Sequence, residues 1–378
     1  MSNVRNNWAN GLNRREFLAA SAAAGVMAAG MPGAARAMPK RGGTLRFATR
    51  VDGSGLDLHR SIAYYVSNPL AGITQGLLDI DQKMNIVPGV AEEWEVSKDL
   101  MRYTFRLRKG VEYHDGADVD AESVKWNFER ILDPAIGHAF TRSSLLDVER
   151  MEVDSKHVIH IHLKKPSAVF AGNVVYYPVN LMSPASVDQA DTNPVGCGPF
   201  KYVSWKRYAK TELVRFENYF ETGEDGNPLP YLDAIEGYPK RDDSVRLTSL
   251  RSGEVDLIEN MSYFDVPDFR RDYTDRFNTW DVAQVGGAHF NINAKSGPFA
   301  MDAPDGKLLR QAVAHAIDRQ AIHEAVFNGL SEATHGYYTS ASPWHMPDVK
   351  PGPEYDPEKS RFILRKLNME NMPIAVVA

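Results

Sequence analysis

The sequence predicts a mixed α/β (α+β) protein of more than one lobe. Three observations carry this expectation. Period-two strand patterns alternate with helical stripes along the chain. At 378 residues the chain is long enough for two to three ordinary domains. Its composition is that of a globular protein, 43% apolar and 24% charged.

The elements follow in order. After Gly42-Gly43, the alternation of Leu45 and Phe47 with Thr44 and Arg46 reads as a strand. Residues 50–68 are rich in Gly, Ser, Asp and Tyr and read as a loop. The apolar run 69–79 reads as a short helix. Residues 101–108 give the cleanest period-two pattern, with Tyr103, Phe105 and Leu107 on one face and Arg102, Thr104, Arg106 and Arg108 on the other. Asp118 or Asp120 then caps a helix that carries Val124, Phe128, Ile131 and Leu132 on one side. Residues 157–163 form a second strand, with His160 and His162 on its polar face. Asn193-Pro194-Val195-Gly196-Cys197-Gly198-Pro199-Phe200 is a Gly/Pro turn running into a strand. Residues 253–258 and 288–293 read as further strands. Leu308, Leu309, Ala312, Val313, Ala316 and Ile317 make the stripe of an amphipathic helix. Asp356-Pro357-Glu358 starts a last helix that ends near Asn368, and residues 373–378 look like a strand just begun.

The N-terminus reads as an address rather than as part of the fold. Arg14 and Arg15 form a twin-arginine signature, followed at once by an Ala- and Gly-rich apolar segment too short and too weakly hydrophobic to span a membrane comfortably. Ala35-Arg36-Ala37 supplies a small-x-small cleavage site, so residues 1–37 are expected to leave and Met38 to start the mature chain. Losing Arg5, Arg14, Arg15, Arg36 and Glu16 takes the formal charge from −6 to −9. The expected compartment is the periplasm, reached through the twin-arginine translocase.

Several chemistries have no support. An acidic chain lacks the dense basic patches of sequence-independent nucleic-acid binding. The single cysteine, Cys197, excludes an intrachain disulfide framework, an all-cysteine zinc site and a CxxC motif. No phosphate-binding Gly-rich loop, HExxH or GxSxG occurs. His160 and His162 share a strand face, but no acidic or sulfur ligand stands beside them in sequence, so no metal and no cofactor is expected.

A set of landmarks then becomes informative. In order they are Gly42-Gly43-Thr44-Leu45-Arg46, Val87-Pro88-Gly89-Val90-Ala91-Glu92-Glu93-Trp94, Tyr103-Thr104-Phe105-Arg106-Leu107-Arg108-Lys109-Gly110-Val111, and His114-Asp115-Gly116. Val195-Gly196-Cys197-Gly198-Pro199-Phe200, Ser252-Gly253-Glu254-Val255-Asp256, Leu309-Arg310-Gln311-Ala312-Val313 through Arg319, and Tyr355-Asp356-Pro357-Glu358-Lys359 complete them. Over residues 42–367 this series resembles the solute-binding proteins of peptide/nickel-type ABC importers, the dipeptide- and oligopeptide-binding family.

The resemblance implies a two-lobed periplasmic binding protein fold with a subdomain inserted into the first lobe. Residues 38–75 and 190–283 would build lobe one, 76–189 the inserted subdomain, and 284–378 the start of lobe two. Family members run well past residue 378, so the chain reads as C-terminally truncated. The implied function is non-enzymatic: a monomer captures a short peptide or related small solute between its lobes and delivers it to the transmembrane subunits of an ABC permease. Nickel complexes, oligosaccharides and opine-like compounds stay open as solutes. An exported metal- or histidine-dependent enzyme and a non-functional truncated product are the alternatives.

Two segments suit the cleft on physical grounds, and a third matches the family more loosely. If Ala288, Phe290 and Ile292 face a core, then His289, Asn291 and Asn293 share a polar face, and amides both donate to and accept from a peptide backbone. At Cys197 and Gly198 the turn offers backbone N–H groups and close approach. Tyr64, Tyr65 and Ser67 match the family's cleft-facing loop.

Overall fold

The computed structural model describes residues 39–61, 70–81, 85–280, 291–334, 339–340, 346, 348 and 352–374. The expected signal segment with Arg14 and Arg15, the loop residues Tyr64, Tyr65 and Ser67, and His289 lie outside the described residues. The backbone divides into two compact units, Met1–Arg46 with Asp52–Tyr238, and Phe47–Val51 with Pro239–Ala378.

Strand β1 (Thr44–Thr49) contributes residues to both units. In the first unit, β2 (Leu78–Ile80) and β3 (Ile86–Pro88) form a small antiparallel pair. The apolar run 69–79 is therefore not one helix. It is a 3-10 turn at Ala71–Ile73 followed by β2, because Leu78 and Ile80 find a pairing partner in β3 and no residue caps a longer helix.

Next come β4 (Ala91–Val96), β5 (Arg102–Leu107), helix α1 (Ala121–Leu132), the short helix α2 (Ala139–Ser143), β6 (Val148–Ser155) and β7 (Val158–Leu163). The strands make an antiparallel sheet in the order β4-β5-β7-β6. Its apolar face carries Tyr103, Phe105, Leu107, Ile159, Ile161 and Leu163, in the alternation that the sequence predicts. These side chains share one core with Val124, Phe128 and Ile131 of α1. Helix α1 starts where Asp120 accepts from the Ser123 N–H at 2.8 Å and the Ser123 hydroxyl answers at the Asp120 N–H, a reciprocal cap.

Helix α3 (Phe170–Val174) leads to β8 (Phe200–Lys206), β9 (Lys210–Arg215) and β10 (Ala234–Pro239), which run antiparallel. Helix α4 (Asp243–Ser252) follows, capped by Asp242 and closed by Gly253 at φ 77°. Strand β11 is short, Leu257–Ile258 rather than the 253–258 predicted, since Gly253 terminates α4 and Val255 is consumed as a buried anchor. It pairs parallel with β1, Phe47 opposite Leu257 and Ala48 opposite Ile258. The full strand order is β11-β1-β10-β9-β8.

The second unit adds α5 (Val266–Tyr273), α6 (Gly306–Ala316), α7 (Arg319–Phe327) and α8 (Pro357–Lys366). Asp356 caps α8 by accepting from the Lys359 N–H at 2.8 Å, as its Asp-Pro-Glu start predicts. Residues 291–293 form no strand, and neither do 373–374. Among the described residues no helix is long and apolar enough to cross a membrane.

Candidate functional site

The Gly196–Gly198 turn is packed into the first unit. The Cys197 side chain is fully buried, with its sulfur 3.9 Å from the Gln75 carbonyl, and burial pushes the thiol up to about 12. Such a group is a small apolar filler, not a nucleophile. The Gly198 N–H donates to the Ile73 carbonyl at 2.9 Å. A Cβ on Gly198 would stand 2.5 Å from the Gly72 oxygen, and one on Gly196 2.2 Å from the Ile73 oxygen. The close approach that glycine permits here is thus to the chain's own backbone.

His114 locks the same turn from the other side. Its N–H donates to the Gly196 carbonyl at 2.8 Å, and its Nε2 donates to the Gly198 carbonyl at 2.9 Å. A carbonyl only accepts, so the neutral ring carries its proton on Nε2, and the buried Nδ1 has no partner among the described residues. Burial holds the His114 imidazole down at about 4.

The loop after β1 is fastened at its base by charge. Arg130, on α1, donates to both carboxylate oxygens of Asp57, at 3.0 and 2.5 Å, and all three of Asp57, His59 and Arg130 are buried. The same guanidinium donates to His59 Nδ1 at 2.9 Å, while His59 Nε2 donates to the Asn180 carbonyl at 3.0 Å. This assigns the neutral tautomer, and burial keeps the ring at about 4. Burial also pushes the Asp57 carboxyl up, but the Arg130 hydrogen bonds and charge outweigh it and leave the group below its ordinary range. Sequence reading passes over this triad, because Arg130 lies 73 positions from Asp57 and 71 from His59, and no local pattern links them.

Asn291 and Asn293 are exposed, outside any strand. The shared polar face expected from strand alternation is therefore not formed at 291–293. Asn293 Oδ1 accepts from the Lys295 N–H at 3.1 Å and its amide donates to the Ser296 hydroxyl at 3.0 Å, which builds a local turn. Among the described residues the Asn291 amide has no hydrogen-bond partner.

The paired histidines take the polar sheet face as read. The Thr104 hydroxyl lies 2.9 Å from His160 Nδ1, and Arg150 donates to Glu152 at 2.8 Å and to His162 Nδ1 at 3.2 Å. No group of three metal-ligating side chains occurs among the described residues.

The geometry so far is that of a scaffold: antiparallel sheets with one parallel pair at β1-β11, anchored loops and exposed amides, with buried titratable groups held inert. Comparison with known proteins agrees. Residues 85–376 match the model for bacterial extracellular solute-binding proteins, family 5. The chain belongs to that family. The curated relatives that it matches are named as binding proteins. The glutathione-binding protein GsiB of Pectobacterium atrosepticum is 26% identical over 302 residues, 79% of this chain and 56% of that protein. Its counterpart in Escherichia coli K12 is 28% identical over 305 residues, again 79% and 56%. The chain thus spans little more than half the length of these curated relatives.

Solved structures show the same fold. The periplasmic binding protein DppA of Helicobacter pylori, in complex with the peptide STSA, superposes with a TM-score of 0.75 at 24% identity, over 88% of this chain and 67% of that one. AgaA of A. tumefaciens R10, in complex with agropinic acid, gives 0.73 at 28% identity, over 87% and 65%. The fold class is that of two-lobed periplasmic binding proteins.

Proposed function

We propose that the chain is the solute-capturing component of an ABC importer for short peptides or a related small solute. The observation that carries this reading is the family match over residues 85–376, joined by relatives named for glutathione and a structural neighbour holding a peptide. In this reading residues 1–37 are a twin-arginine signal with Arg14 and Arg15 at its head, and the mature chain works as a monomer in the periplasm. Residues 38–75 and 190–283 act as lobe one, 76–189 as its inserted subdomain and 284–378 as the start of lobe two. The solute is gripped by hydrogen bonds and released to the permease, with no bond made or broken. Binding drives closure to the extent that the closed state is bound more tightly.

The proposed ligand-facing residues are Tyr64, Tyr65, Ser67, His289, Asn291 and Asn293. Cys197 and Gly198 enter as backbone lining only, given the buried thiol and the engaged N–H. Asn291 carries most weight, since its exposed amide has no hydrogen-bond partner among the described residues. Asn291→Ala in the mature chain is expected to weaken peptide binding by about 1–3 kcal/mol, the net worth of a well-placed polar contact and its desolvation. Titration calorimetry with glutathione and trialanine checks this. Unchanged affinity removes Asn291 from the site, and no heat with any peptide of a broad panel removes the peptide reading.

A further inference from the structure

The hairpin that joins β8 to β9 ends in an exposed tip, Lys206-Arg207-Tyr208-Ala209. The Ala209 N–H donates to the Lys206 carbonyl at 2.9 Å and closes a four-residue turn. Tyr208 takes the third position of that turn at φ 60°. Tight turns with a positive φ there ordinarily carry Gly or Asn, because a bulky side chain is strained in the left-handed region. Here a tyrosine occupies the position, and it is 72% exposed.

The tip is held from behind. Asp52 accepts from Trp205 Nε1 at 2.8 Å through Oδ1, and from the Tyr208 N–H through Oδ2. Trp205 packs on the core of Leu56, Leu70, Ile73, Phe200 and Leu213. The Arg207 guanidinium lies over the Trp205 ring at 5.8 Å and over the Tyr208 ring at 5.3 Å. Neither Arg207 nor Lys206 has a carboxylate partner among the described residues. Stacking orients a guanidinium without neutralising it, so its N–H groups stay available in one direction. Folding stability does not account for this arrangement, since glycine at 208 would relieve the backbone and the exposed ring buries little apolar surface. Trp, Tyr and Arg are the residue types that dominate protein–protein contacts, above all when they are fixed before the encounter.

We propose that this tip is a docking surface for a protein partner, with Tyr208 buried against the partner and Arg207 received by one of its carboxylates. The partner is the outward face of the permease's transmembrane subunits. This rests on the importer reading above and adds to it the patch of the first unit that makes contact. Charge complementarity selects an acidic partner: Lys206 and Arg207 bring adjacent unpaired cations to a chain whose formal charge is −6, so the attraction is local to the tip. A shaped protein surface fits better than a layer of lipid headgroups. A bilayer gains little from so few cations, whereas a rigid tyrosine and an oriented guanidinium match a pocket with a carboxylate at its edge.

Spheroplasts of the host bacterium expose the outward face of the inner membrane and serve as the probe. Labelled mature chain is bound to them with a mixture of short peptides present, beside protease-treated spheroplasts and protein-free vesicles of the same lipids. Binding is expected to vanish after protease treatment and to be absent on the vesicles. Arg207→Gln and Tyr208→Gly are each expected to weaken it by about tenfold or more. Tyr208→Gly is also expected to keep or raise the thermal transition, since glycine adopts φ 60° freely. A lowered transition together with lost binding would make Tyr208 a structural residue and overturn its role. Wild-type binding that both variants leave intact overturns the assignment, and so does equal binding to protein-free vesicles, which would mark a lipid contact. A chain that binds peptide by calorimetry but no spheroplast overturns the assignment alone. A chain that binds neither removes the importer reading and this assignment with it.

Discussion

Arg130→Met is expected to destabilise the mature chain by about 3–5 kcal/mol, the usual effect of breaking a buried pair by removing one partner. The cause is the group left behind. Asp57 is 2% exposed, and without the guanidinium its carboxylate loses two charge-assisted hydrogen bonds in a site that water does not reach. His59 loses the donor to its Nδ1 in the same step. The pair as a whole is not expected to be a large net stabiliser, since its desolvation offsets much of its attraction. The double variant Asp57→Asn with Arg130→Met should therefore recover a substantial part of the loss. Denaturant midpoints of the three proteins check this. A loss below about 1 kcal/mol for Arg130→Met would show that the pair is solvated or easily replaced.

Acid should act through the two buried histidines. His59 and His114 are both held neutral at about 4 by burial, against an ordinary value near 6.5. Between those values the unfolded chain binds protons that the native chain refuses. Stability therefore falls as pH drops from about 6.5 toward 4, with a limiting slope of about 1.4 kcal/mol per pH unit for each histidine. By pH 5 the combined loss should reach about 3 kcal/mol or more. Below that range the depressed Asp57 and Asp115 carboxyls add to the loss, since groups whose folded value is lowered withdraw their stabilisation as they protonate. Urea unfolding at pH 7, 6 and 5 measures the slope. A midpoint independent of pH over this interval would mean that neither ring is held neutral.

These groups also show what a sequence does and does not disclose. Helix α1 is legible because its cap and its stripe are local: Asp120 and Ser123 sit three positions apart, and Val124, Phe128 and Ile131 recur on one face. Strands β5 and β7 are legible because a half-buried sheet imposes strict alternation. The run 69–79 misleads because its apolar density is equally compatible with a helix and with a strand whose partner lies beyond it. Gly76 records the difference only in three dimensions, where a Cβ would stand 2.6 Å from the Asn180 side chain. Residues 291–293 alternate as a strand would but find no pairing partner among the described residues, and alternation without a neighbour does not make a sheet.

The candidate site divides along the same line. Asn291 is legible in sequence as an amide suited to recognising a backbone, and the structure shows it exposed. The cluster of Asp57, His59 and Arg130 is not, because it forms only where α1 meets a loop 73 positions earlier in the chain. Cys197 and Gly198 stood out in sequence for a property they do have, close approach, but the approaching group is the backbone at 72–74.

The central claim is that this chain holds a small solute without transforming it. Incubating the mature chain with a defined mixture of short peptides and glutathione, desalting it, and analysing both the retained and the free solute by mass spectrometry tests this most directly. The account predicts intact solute retained at about one per chain, and a free pool whose composition does not change with time. Products that accumulate with time, or a desalted chain that carries nothing, would contradict it.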